Sequence, residues 1–131
     1  MIAALLAALV SVTNAQYREC VRAGACKAAA FEDPRSAANP KTGKSENIAA
    51  WAPWTGDDQP AIGVDWYDAT AWCKWKGLRL ASLRDLGSEK PATAIWLADK
   101  VGKNRAVRGG QSRSSEEPWG RAHWLTFRCV R

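Results

Sequence analysis

Four cysteines, Cys20, Cys26, Cys73 and Cys129, constrain the fold of this chain more than any other feature. They form no C-x-x-C pair and are joined by a single histidine, so the spacing of a Cys/His zinc site is missing. Four thiols allow three pairings. Local spacing favours Cys20 with Cys26, closing the end of a first helix onto the loop after it, which leaves Cys73 with Cys129. On a chain-entropy argument the two loops contribute about 2 and about 4 kcal/mol, so the long one matters more. Such bridges imply an oxidising compartment, extracytoplasmic or at the cell surface. The alternative is four buried free thiols in a cytosolic protein, since free Cys is itself among the most buried residue types.

The chain has 131 residues, a length that one hydrophobic core can serve, and a single domain over residues 1–131 is expected. With 47% hydrophobic and 24% charged residues, neither wholesale disorder nor a membrane bundle fits. The apolar stretch from Met1 to Val10 is too short for the roughly 20 residues of a membrane span. It also lacks a basic n-region, and Thr13-Asn14-Ala15 makes an unconvincing signal cleavage site, so Ile2 to Val10 reads as a first strand or the remnant of a longer N-terminus. Charge is segregated: residues 1–99 hold 11 Lys or Arg against 11 Asp or Glu, and residues 100–131 hold 8 against 2. That tail is either a surface for anionic ligands or a set of arginines on exposed strand faces. No Lys/Arg block resembles a nucleic-acid arm, so nucleic acid is not an expected partner.

Thr13 and Gln16 form an S/T-x-x-Q capping box, flanked by Val12 and Tyr17 as a hydrophobic staple, and predict a helix from Asn14 that Gly24 stops. From Glu32 to Pro60 apolar residues thin out and four of the six prolines fall, which predicts a long surface loop pinned by Trp51 and Trp54. Ile62 and Val64 alternate as a short strand. Asp65 then caps a second helix from Trp66 to the stop at Gly77, with Asp68 at its third position. Leu78 and Leu80 read as a strand entry, and Ser82 with Asp85 as the cap of one short turn containing Leu83 and Leu86. Gly87 to Thr93 reads as loop. Gly109-Gly110 permits close backbone approach, and Leu125, Phe127 and Cys129 alternate with Thr126, Arg128 and Val130 in a final strand. Eight of the 12 aromatic residues are Trp, and each buried one needs a partner for its indole N–H.

Three segments together resemble one family: Val12-Thr13-Asn14-Ala15-Gln16-Tyr17-Arg18; Gly63-Val64-Asp65-Trp66-Tyr67-Asp68-Ala69 running through Cys73-Lys74-Trp75 to Leu78-Arg79-Leu80; and Arg108-Gly109-Gly110 with Phe127-Arg128-Cys129-Val130. They are similar to the formylglycine-generating (sulfatase-modifying factor) domain. The resemblance implies an α+β fold of C-type-lectin type, with two helices packed on a small antiparallel sheet and long irregular loops. Asp65 to Ser82 also resembles the second helix of C-type lectins proper, whose helix cysteine bonds one in the last strand, which supports Cys73 with Cys129. The family's oxidases need a redox-active cysteine pair a few residues after the Gly-Gly, because thiolates bind the copper and activate oxygen there. Here that segment reads Gln111-Ser112-Arg113-Ser114-Ser115. The family's threonine-glutamate-alanine-glutamate-tryptophan run is replaced by Ala81-Ser82-Leu83-Arg84-Asp85, and its long middle section is abbreviated to Ile95-Trp96-Leu97-Ala98-Asp99, which faintly resembles the family's tryptophan-rich core turn. Copper and oxidase activity are therefore not expected, and the alternative is a sulfatase-modifying oxidoreductase of the same family.

No other catalytic constellation emerges. His123 is the sole histidine, and no nucleophile elbow accompanies Ser112, Ser114 and Ser115. Asp57-Asp58 and Glu116-Glu117 are carboxylate pairs, but adjacent residues of an extended segment point opposite ways, so calcium remains a secondary expectation and no metal ligand is assigned. Glu117-Pro118 resembles the Glu-Pro of sugar-binding lectins, with Trp119 where a polar calcium ligand is expected. What remains is the stretch from Gln111 to Trp124. Its Gln111, Ser112, Arg113, Ser114, Glu116, Glu117, Trp119, Arg121, His123 and Trp124 have the composition of a paratope, in which Trp supplies flat contact area, Arg forked donors and Ser adaptability. Trp119 and Trp124 are alternatively core residues. The expected function is a catalytically silent binding module with a protein or glycan ligand on this stretch. The position also resembles the variable region of display proteins diversified by retroelements.

Overall fold

A computed structural model describes residues 8–33, 48–110 and 114–131. The elements run β1 (Val10–Ser11), α1 (Asn14–Arg22), a 3-10 helix (Ile48–Trp54), α2 (Trp66–Trp75), β2 (Arg79–Leu80), α3 (Leu83–Leu86), β3 (Ala94–Val101), β4 (Asn104–Arg108), β5 (Ser115–Glu116) and β6 (Leu125–Val130). The protein is α+β.

Each α-helix begins at a reciprocal capping box: Thr13 with Gln16, Asp65 with Asp68, and Ser82 with Asp85. In each, the cap side chain accepts the N3 amide while the N3 side chain accepts the cap amide, satisfying two orphan donors at once. Gly24 and Gly77 follow α1 and α2 at φ of 78° and 73°, where a side chain would be strained.

The sheet runs β1-β6-β3-β4-β5, with β2 also paired to β6. β1 and β2 lie antiparallel to β6, while Ala94, Ile95 and Trp96 of β3 pair in parallel with Leu125, Thr126 and Phe127. The expected antiparallel sheet is thus a mixed one, because 23 residues, including the β4 and β5 ribbon, separate β3 from β6 and return the chain in β3's own direction. Residues 95–99 form most of a strand rather than a core turn. Ile95 and Leu97 enter one apolar cluster with Ala81, Leu86 and Val130, and Trp96 enters another, with Tyr17, Trp72, Phe127 and both halves of the long disulfide. Both faces of the strand are covered, so no alternation is left to read.

Both disulfides form as expected. Cys20–Cys26 spans Cα atoms 5.3 Å apart, and Cys73–Cys129 ties α2 to β6 with Cα atoms 5.6 Å apart. Within the core, the Trp96 indole N–H donates to the Val64 carbonyl at 3.1 Å and that of Trp72 to the Gln16 carbonyl at 3.0 Å, the latter joining α2 to α1.

Three local expectations change. Ile62 and Val64 are buried but form no strand, since their segment bonds to separate parts of the chain: Ala61 N–H to Val12, Ile62 N–H to the Asn14 side chain, Gly63 N–H to Ala122. The stretch expected as a loop contains the 3-10 helix, with Trp51 buried in it and Trp54 exposed at its end, where the Trp54 carbonyl accepts from the Asn14 side-chain amide at 3.0 Å. The expected strand from Ile2 starts at Val10, and residues 1–7, with Pro34 and Pro40, lie outside the described residues.

Candidate recognition surface

Gly109 and Gly110 end β4 at φ of 100° and 56°. Gly110 N–H donates to the Pro91 carbonyl at 2.9 Å, and a Cβ on Gly109 would overlap that same carbonyl. The glycine pair therefore lets residues 91–94 and the end of β4 touch backbone to backbone. Beside this contact opens a cleft of about 500 Å3 lined by Trp54, Ala92, Thr93, Ala94, Gly110, His123 and Trp124. The His123 ring stacks on Trp54, with centroids 4.7 Å apart and planes 30° off parallel, and lies 5.6 Å from Trp51. Trp54 and Trp124 are 42% and 37% exposed, well above what core tryptophans show. The result is an open aromatic wall over a backbone-lined floor, a surface suited to flat or extended ligands.

The segment carrying this wall is held from below. Trp66 N–H donates to Pro118 O at 2.9 Å and Gly63 N–H to Ala122 O at 3.0 Å. Between them Arg121 turns inward: its guanidinium donates to the Ala28 carbonyl at 3.0 Å and pairs with Asp65 at 3.2 Å and Asp68 at 2.6 Å. All three side chains are nearly buried, at 12%, 12% and 5% exposure. Burial, followed by the Asp65 carboxylate, pushes Asp68 up to about 7, against the pull of Arg121.

A pH dependence follows from that shift. An unfolded Asp titrates near 3.9, so between about pH 4 and 7 the folded protein holds a proton the unfolded chain has released. Asp68's protonation contributes stability that is complete below pH 4 and lost as pH rises through 7. The urea midpoint should therefore fall less between pH 5 and pH 8 in Asp68→Asn than in the unsubstituted protein. Asp85, held below the usual carboxylate range by its hydrogen bonds from Arg79, acts with the opposite sign at lower pH and is common to both.

The expected site residues thus divide. His123 and Trp124 meet at the cleft, joined by Trp54, which sequence reasoning had assigned to pinning a loop. Arg121 is an internal anchor. Ser114 is exposed and its carbonyl accepts the Val107 N–H at 3.0 Å, while Glu116 pairs with Arg105 along the β4–β5 ladder, and neither lines the cleft. Glu117 O accepts the Gly120 N–H at 2.9 Å, closing a turn over half-buried Trp119. Gln111, Ser112 and Arg113 lie outside the described residues.

A model of the sulfatase-modifying factor enzyme 1-like domain matches residues 2–120. The chain belongs to that family. No curated protein gives a close match. In this sulfatase-modifying factor domain all four cysteines are bonded in pairs, Cys20 with Cys26 and Cys73 with Cys129. Among the described residues no group of three or more His, Cys, Asp or Glu side chains is placed to hold a metal ion. Nor, among them, is any helix long and apolar enough to cross a membrane.

Proposed function

We propose that this sulfatase-modifying factor domain is a binding module without oxidase chemistry, on the C-type-lectin-type frame its family resemblance implies, and that it acts outside the cytoplasm. The recognition surface is the cleft framed by Trp54, His123 and Trp124. One observation carries the reading. Where the family's oxidases place reactive cysteines after the glycine pair, this chain sets exposed, stacked aromatic rings beside that pair and commits all four cysteines to bridges. Rings held rigidly at a cleft contribute contact area at small entropic cost.

Glycan and peptide arrays probed with the unsubstituted protein and with Trp124→Ala test this. The expected result is a specific ligand whose affinity falls about thirty-fold in the variant, the roughly 2 kcal/mol of a recognition hot spot, with an unchanged melting temperature because Trp124 is exposed. Oxygen consumption with turnover after copper addition would overturn the reading. The likeness to retroelement-diversified display proteins stands or falls on a near-repeat of the final codons in the flanking nucleotide sequence.

A further inference from the structure

Ala92 and Thr93, which wall the aromatic cleft, also line a second one of about 260 Å3. Its other walls set Ser11, Thr13, Asp58 and Thr126 beside apolar Val12, Pro60, Ile95 and Phe127. The chemistry changes across that shared wall. On one side stand aromatic faces; on the other, hydroxyl groups and the carboxylate of exposed Asp58 are spaced among apolar side chains. Arg128, which also borders the second cleft, is neutralised by Glu89 at 2.6 Å. Thr126 is only 6% exposed, and its Oγ1 has no hydrogen-bond partner among the described residues. A buried hydroxyl without a partner carries a desolvation cost that a ligand hydroxyl or its bridging water relieves.

We infer that the two clefts form one groove for a linear, neutral oligosaccharide, with a sugar ring stacked on Trp124 and Trp54 and following units hydrogen-bonded past Thr93 to Asp58 and Thr126. This rests on the recognition reading above and names its ligand class. Sugar rings present an apolar C–H face and a rim of hydroxyls, and the groove offers an aromatic wall followed by hydroxyls and one carboxylate set among apolar side chains.

The test measures affinity against chain length, using β-1,4-linked N-acetylglucosamine and α-1,4-linked glucose oligomers of one to five units followed by titration calorimetry, beside an array of other linear glycans and of peptides. Affinity should rise at least tenfold from one unit to four in a series that binds. The Asp58→Asn/Thr126→Val variant should erase that rise. It should still fold, because Asp58 is exposed and valine copies threonine's shape while removing an unpartnered group. Trp124→Ala should weaken every length. Sugar binding that ignores chain length, or a rise that survives Asp58→Asn/Thr126→Val, overturns the joined groove. Peptide binding sensitive to Trp124→Ala with no glycan binding overturns the sugar assignment and leaves the recognition surface standing. No ligand of either kind overturns both.

Discussion

Replacing Cys73 and Cys129 by alanine is expected to destabilise the protein by about 4 kcal/mol, the chain entropy released when a covalent loop spanning a sequence separation of 56 residues is opened. Small domains hold only about 5 to 15 kcal/mol in total, so the variant should sit near its unfolding threshold at 37 °C. The corresponding change at Cys20 and Cys26 closes a separation of only 6 residues and should cost about 2 kcal/mol. Urea unfolding of the two double variants under oxidising conditions measures the pair of values. The position of the long bridge adds to the asymmetry. Cys73 and Cys129 are both fully buried in the cluster built by Trp72, Trp96 and Phe127, and Cys129 lies in β6 opposite both Val10 and Leu80. Losing this bridge frees the central strand. Losing the short one frees a partly exposed loop beside α1. Equal costs for the two variants would mean that the loop-length argument fails here.

How far the sequence disclosed this structure depends on whether a signal is local. The capping boxes at Thr13 and Asp65 involve residues three apart, and both helices start where those pairs place them. The glycine stops and the last strand are equally local. Ile62 to Val64 misled because alternation reports burial, and burial is what those residues have; their backbone bonds go to three other segments rather than to a neighbouring strand. The Ile95 to Asp99 run misled in the converse way, since a strand covered on both faces loses the two-residue period that identifies one. Within the surface, the exposed aromatic character of Trp124 was legible and its meeting with Trp54 was not, because 70 positions separate two rings that the fold sets on one cleft. Arg121 was the sharpest difference. The sequence places it among the recognition residues as a forked donor for a ligand, and its partners read as a helix cap.

Arg121 is for that reason the residue whose loss should be felt most widely. Arg121→Ala removes the only cation paired with Asp65 and Asp68 among the described contacts and leaves the Ala28 carbonyl without that donor. Breaking a buried pair from one side costs about 3 to 5 kcal/mol, because the remaining charge stays desolvated. Asp68 can escape part of that cost by holding its proton, so the penalty should be smaller at pH 5 than at pH 8. Arg121→Met combined with Asp68→Asn should cost less than the two single changes added together, with a coupling of about 1 to 3 kcal/mol between residues in direct contact. Stability is only part of the readout. The same guanidinium ties the segment between Pro118 and Trp124 to the start of α2, so its removal should raise amide exchange at Arg121, Ala122 and His123 before the rest of the molecule opens. A solvated, idle arginine would produce neither the coupling nor the local exchange. Both together would establish that the aromatic wall is held in place by a buried charge cluster reached from the opposite side of the loop.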